Sequence, residues 1–278
     1  MEKGWEFFNT LFSFYDLPPP QFLSLCFLVF MRLGPIIVLS PFLGAKLPSP
    51  VKVGLLLVLT SFFIPSISQH VTNLPALSFS TSFSFLCIKE LFLGICLAIL
   101  VLLPFQIVQA SGVIIDFMRG STSLMVADPI MQNQISPLGV LYNSIFIVLF
   151  YQIDGPFLFF QSFLHSYQLL PVDTLLSAHV FQTSLGIWPS FMQLLTRFTL
   201  LSIQLAAPSI VAILMAEMFL GIANRLAPQV QIAFLGMALK SLLGIFLLWA
   251  GWFFILKQIA KQALLWIASI DRLLPFLQ

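Results

Sequence analysis

Apolar runs long enough to cross a bilayer follow one another along this chain with almost no charge between them. They cover about 22–44, 53–69, 85–108, 137–163, 181–222 and 230–256. A spanning helix needs roughly 17–25 such residues, and these runs meet that length without the alternation of a spanning strand. Only 8% of the 278 residues are charged and 59% are hydrophobic. A soluble domain carries about 25% charge. No single water-soluble core could hide this much apolar side chain, so the fold class is an all-α membrane protein of about six to eight hydrophobic helices.

Several function classes fall away. The net charge of +2 implies no nucleic acid. The opening MEKGWEFF does not read as a removable signal peptide. Cys26, Cys87 and Cys96 lie inside apolar runs with no ligand spacing and read as small buried hydrophobes. No metal-protease, hydrolase, phosphate-loop or dinucleotide motif occurs. His70, His165 and His179 fall in connectors and read as solvated or interfacial. The chain therefore reads as a non-enzyme with no cofactor and no metal.

Charges inside apolar runs are informative because a charge at the bilayer centre costs about 2.5–3.5 kcal/mol on insertion scales. Arg32, Glu90, Arg197, Glu217 and Lys240 are of this kind. Arg32 and Glu217 suit pairing between helices or subunits, whereas Lys52 and Lys89 suit snorkelling from a helix end. Ala212 and Ala216 form a weak small-residue pair that lets another helix approach.

Eighteen prolines, with Pro35, Pro41, Pro104, Pro189 and Pro208 within runs, imply interrupted helices, and Asp154-Gly155-Pro156 breaks the fourth run near its end. Lys46 with Lys52, and Lys257 with Lys261, mark segments expected on the cytoplasmic side. Six simple spans would separate them. The run 181–222 is expected to divide into two helices at Pro208, or re-entrant hairpins restore the parity. Broken helices survive in lipid only where protein or a water-filled cavity covers the freed backbone groups.

Between the third and fourth runs lies DFMRGSTSLMVADP, Asp116 to Pro129. Gly120 and the Ser121-Thr122-Ser123 run lower helix stability, and Asp128-Pro129 favours a reversal. Met118, Met125 and Met131 supply soft apolar side chains that can close on varied surfaces. Asp116 and Arg119 share a face if that part is helical. An ordinary exposed loop and a gate are both compatible with these residues.

Four blocks carry a resemblance. They are MRLGPIIVLSPFLGAKLPSPVKVGL (Met31 to Leu55), LLPFQIVQASGVIIDFMRGSTSLMVADPIMQNQISPLGVL (Leu102 to Leu141), IDGPFLFFQSFLHSYQLLPV (Ile153 to Val172) and LAAPSIVAILMAEMFLGIANRLAPQVQIAFLGMALKSLLG (Leu205 to Gly244). In this order they resemble the FliR/SctT family of type III export-apparatus proteins. The sequence QVQIAF and the MALKS element around Lys240 lean toward the injectisome SctT branch over flagellar FliR.

The resemblance implies a core subunit of the type III secretion export gate. It would form and close the inner-membrane channel through which unfolded substrates pass, as a multi-pass protein of the bacterial inner membrane within the basal body. Implied partners are FliP/SctR-type and FliQ/SctS-type gate subunits, SctU-type and SctV-type export proteins, secreted polypeptides in transit and lipid. The implied organisation is one membrane domain over 1–278: helices to 108, a plug-like loop at 109–136, helices over 137–256 and an amphipathic cytoplasmic tail at 257–278. Implied plug or gate residues are Asp116, Met118, Arg119, Gly120, Ser121, Met125, Asp128, Pro129 and Met131. Implied packing and partner positions are Arg32, Gly34, Pro41, Gly44, Glu90, Glu217, Gly221, Arg225, Pro228, Gln229 and Lys240. A self-contained secondary transporter with a midplane site at its broken helices is the alternative.

Overall fold

Helices follow from the composition: in lipid a helix satisfies every internal backbone group within its own segment. The computed structural model describes residues 19–44, 47–69, 81–120, 136–174 and 187–226, and scattered positions between 236 and 261. The described residues contain no strand. Their elements are α1 (Pro19–Leu39), a 3-10 turn (Pro41–Leu43), α2 (Ser49–Ser68), α3 (Thr81–Met118), α4 (Pro137–Gln152), α5 (Gly155–Leu169) and α6 (Ile187–Leu226). Described positions from Gly236 to Lys261 are also helical.

Four helices are long and apolar enough to cross a membrane, or five if α4 and α5 count as one broken span. With 38 and 40 residues, α3 and α6 extend about 57 and 60 Å at 1.5 Å per residue. A hydrocarbon core is about 30 Å thick, so both helices must tilt, bend or project beyond it. Conversely α4 and α5, with 16 and 15 residues, reach only about 24 and 22 Å.

The chain forms two compact units. The first contains Met1–Leu102, Asp154–Ser190 and Ile267–Gln278; the second contains Leu103–Ile153 and Phe191–Trp266. In the first, α1 packs on α2, and α2 meets α5. Its core includes Leu25, Leu28, Leu33, Ile36, Phe63 and Leu93. An aromatic ladder joins Phe63 to Phe160 and Phe163, at 5.4 and 5.6 Å, and Phe163 to Tyr167 at 5.3 Å. In the second unit Phe105 of α3 lies edge-on to Phe146 and Phe150 of α4 at 4.7 and 5.3 Å. Edge-to-face pairs of this kind add about 0.5–1.5 kcal/mol beyond the area they bury.

The run 181–222 does not divide at Pro208: Ile187–Leu226 is one helix with Pro208 inside it. A proline deletes one backbone bond, and a long membrane helix tolerates that loss where its neighbours re-satisfy the group. Pro35, Pro65 and Pro104 are likewise internal. The loop expected from residue 109 begins later, because α3 continues to Met118. Helix then gives way at Gly120, whose φ of 77° lies in the left-handed region that glycine adopts without strain. The break at Asp154-Gly155-Pro156 falls where the proline signal places it, with Asp154 itself at φ 54°. His165 lies on α5 and is exposed, not in a connector.

Candidate functional site

Among the described residues the buried charges Arg32, Lys89, Glu90 and Asp116 fall in two clusters. In the first unit Arg32 of α1 and Glu90 of α3 are both fully buried. They form a forked pair, Nε to Oε2 at 2.5 Å and Nη2 to Oε1 at 2.8 Å. The remaining guanidinium donors reach Ser166 Oγ at 3.1 Å and the Leu170 carbonyl at 3.0 Å. The Tyr167 ring lies 3.9 Å from the guanidinium carbon. Arginine suits this place because its planar fork matches a carboxylate and stacks on an aromatic face.

Lys89 joins the same cluster. Its ammonium sits 2.8 Å from Glu90 Oε1 and donates to the carbonyls of Pro171, Val172 and Thr174 at 2.7, 3.2 and 2.9 Å. The expected snorkelling of Lys89 is therefore wrong: its side chain is 4% exposed. The carbonyls that follow α5 have no partner within their own helix, and the two cations supply donors for them. Gly94, one turn beyond Glu90, makes room for this crossing. A Cβ there would overlap the Arg32 carbonyl oxygen and stand 2.9 Å from its carbonyl carbon.

The second cluster ties the last turn of α3 to the first turn of α4. Asp116, 2% exposed, accepts from Arg119, one turn on, through Oδ1. Through Oδ2 it accepts from Ser136 Oγ at 2.5 Å and from the Leu138 N–H at 2.9 Å. Ser136 is also the N-cap of α4, accepting from Gly139 N at 3.0 Å, with Pro137 following it. The two backbones touch: a Cβ on Gly112 would stand 2.7 Å from both Cα and N of Gly139. Arg119 lies against Gly244, where a Cβ would come within 2.9 Å of Cγ and overlap Cδ.

A third pair, Lys240 to Glu217 at 2.5 Å, is partly exposed and belongs to the second unit. Arg197 is exposed on α6, as is Arg225 in its last turn. A Cβ on Gly221 would meet nothing within 4 Å. Gly34 faces Leu56 at 3.9 Å. Gly44 closes the Pro41–Leu43 turn with its N–H on the Pro41 carbonyl at 3.4 Å and φ 88°. Met118 ends α3, partly exposed. Ser121, Met125, Asp128, Pro129, Met131, Pro228 and Gln229 lie outside the described residues. Among the described residues no three His, Cys, Asp or Glu gather as a metal site.

The structure thus brings Arg32 to Glu90, Asp116 to Arg119 and Glu217 to Lys240. It brings Lys89, expected to snorkel, into the first cluster and adds Gly94, Ser166, Tyr167, Ser136, Gly139 and Gly244, which sequence reasoning did not single out. For two of these a signal existed. Ser136-Pro137 is a helix-start signature, and Gly94 follows Glu90 at i+4 on the same helical face.

Asp116→Asn should lower stability by about 1–3 kcal/mol, because the amide nitrogen would face a donor in place of an accepting oxygen. Thermal denaturation of the purified variant against the parent checks this; an unshifted midpoint would show that the tie carries little energy.

These features define a multi-helix membrane protein in which buried charge links helix to helix. The chain belongs to the bacterial export proteins, family 1, whose family model matches residues 23–264. This is the FliR/SctT family of the sequence blocks. The surface presentation of antigens protein SpaR of Shigella sonnei is 32% identical over 224 residues, covering 79% of this chain and 82% of the relative. The Yop proteins translocation protein T of Yersinia pestis is 29% identical over 266 residues, 95% of each chain. The flagellar biosynthetic protein FliR of Bacillus subtilis is 24% identical over 216 residues, 77% of this chain and 80% of the relative.

Proposed function

We propose that this protein is a core subunit of the type III secretion export gate. It forms and closes the inner-membrane channel through which unfolded polypeptides pass, with no enzymatic step of its own. The observation that carries this reading is Asp116. Its carboxylate joins the end of α3 to the start of α4, so the chain between Gly120 and Ser136 is anchored at both ends beside a backbone contact at Gly112 and Gly139. An anchored segment containing Met125 and Met131 can close on a passing chain and reseal, because thioether side chains adapt to irregular surfaces.

Kinship with a Yop translocation protein and with SpaR supports the injectisome branch. The FliP/SctR-type and FliQ/SctS-type subunits are the neighbours of this reading, with SctU-type and SctV-type proteins further out. Arg32, Glu90, Glu217, Gly221, Arg225 and Lys240 then serve packing within the gate. The apolar faces of α2 and α6 remain for partners or lipid, with Val58, Phe62, Met218 and Phe219 each at least 66% exposed.

Deleting Gly120 to Val126 tests the plug. The assembled complex should still form but pass ions or small solutes, read as growth inhibition or dye uptake in cells expressing it. A tight, fully assembled complex after that deletion would remove the plug role.

A further inference from the structure

Helix α5 carries a polar face that the other described helices of its unit do not share. Gln161, His165 and Gln168 are all exposed, and spacings of four and three place them on one side of the helix, beside Phe157, which is 71% exposed one turn earlier. The opposite side buries Phe159, Phe163 and Tyr167. Ser66 of α2 and the three polar side chains border a groove of about 520 Å³, lined also by Leu158, Leu164 and the buried Ser162. No Asp, Glu, Lys or Arg occurs anywhere in α5.

The other helices of the unit expose large side chains that lipid accepts. Leu23 and Phe27 on α1, and Phe85, Ile88 and Ile95 on α3, are 40–64% exposed. Hydrocarbon against α5 would instead strip two carboxamides and an imidazole of every hydrogen-bond partner, a cost membrane proteins avoid by turning such groups to water or protein. These side chains are also too short to reach a headgroup layer from within the core, unlike Lys or Arg.

We propose that the groove between α2 and α5 lines the aqueous path of the export gate, and that the polypeptide in transit runs over Gln161, His165 and Gln168. This rests on the export-gate reading above and names the surface the cargo meets. Carboxamides both donate and accept, so they can exchange hydrogen bonds with the backbone amides of any sequence. A lining without fixed charge does not hold oppositely charged segments of an unfolded chain, which strong fixed charges would do. The groove's chemistry therefore suits cargo of varied sequence.

The test uses the assembled complex with Cys26, Cys87 and Cys96 replaced by alanine. Gln161→Cys, His165→Cys and Gln168→Cys should each react with a membrane-impermeant maleimide about tenfold faster than Ile88→Cys, which is 64% exposed on an apolar face. A photo-crosslinking side chain at position 165 should then capture a substrate stalled in the gate by a folded C-terminal fusion. Protection of all three cysteines in the complex would mean that a partner helix or lipid covers the face, and would overturn the proposal. Fast labelling without capture of the stalled substrate would place the groove in water but off the path, and would overturn it equally. The leak produced by deleting Gly120 to Val126 is read separately, so failure of this surface and failure of the plug are distinguishable.

Discussion

Glu90→Gln should cost about 3–5 kcal/mol of stability, the largest loss expected from any single side-chain change in this protein. The substitution keeps size and shape. It leaves the Arg32 guanidinium and the Lys89 ammonium buried around a neutral amide, with one of the amide's own donors turned toward them. An uncompensated buried charge is far more costly than a missing hydrogen bond. Arg32→Lys should also be severe, because a single ammonium cannot reproduce the fork on Glu90 together with the bonds to Ser166 and Leu170.

Combining Arg32→Met, Lys89→Met and Glu90→Leu should be milder than Glu90→Gln alone, because the three charges of the cluster are removed together. It should still fall short of the parent, since the carbonyls of Leu170, Val172 and Thr174 lose their donors and that of Pro171 keeps only the Thr174 hydroxyl. Unfolding of the purified variants in a denaturing-detergent titration reads all of these. A Glu90→Gln protein as stable as the parent would show that the cluster contributes no net energy.

The second large effect belongs to two glycines. Alanine ordinarily stabilises a helix interior by about 1 kcal/mol over glycine. At Gly94 and Gly112 that gain meets backbone, not a side chain that can turn away: Arg32 at 2.9 Å in one case and Gly139 at 2.7 Å in the other. Overpacking of this kind costs about 1–3 kcal/mol, occasionally more, so the clash wins and both substitutions should destabilise. Gly54→Ala and Gly221→Ala provide the contrast, since a Cβ at either meets nothing within 4 Å. They should be neutral or stabilising by up to about 1 kcal/mol in the same titration. Gly112→Ala should in addition loosen the Asp116 tie, because it separates α3 from α4 next to that carboxylate. Equal effects at all four glycines would show that helix propensity, and not the crossings, decides.

Composition and run length were enough to establish the class. Lipid admits the helix and the closed barrel; the unalternating runs select the helix, which depends on local hydrogen bonding alone. The same locality made the breaks at Asp154-Gly155-Pro156 and Gly120 legible, since proline and positive φ act within a few residues. The ordered blocks, from Met31 to Gly244, carried the family. The i,i+3 pairing of Asp116 with Arg119 followed from helical geometry once α3 was known to reach Met118.

What only the tertiary structure decided is which buried groups meet. Arg32 finds Glu90 at a separation of 58 residues and Leu170 at 138. Lys89 was read as snorkelling because it lies near one end of its run; the carbonyls it serves arrive from the chain after α5. Pro208 misled for the complementary reason, as a proline sets a local cost but its surroundings decide whether the helix survives it. Gly94 and Gly244 look like ordinary helix glycines until the Arg32 backbone and the Arg119 side chain come against them. Periodicity states which face of a helix is apolar or polar, but the neighbour on that face is set by how the elements pack, and no short-range rule contains that information.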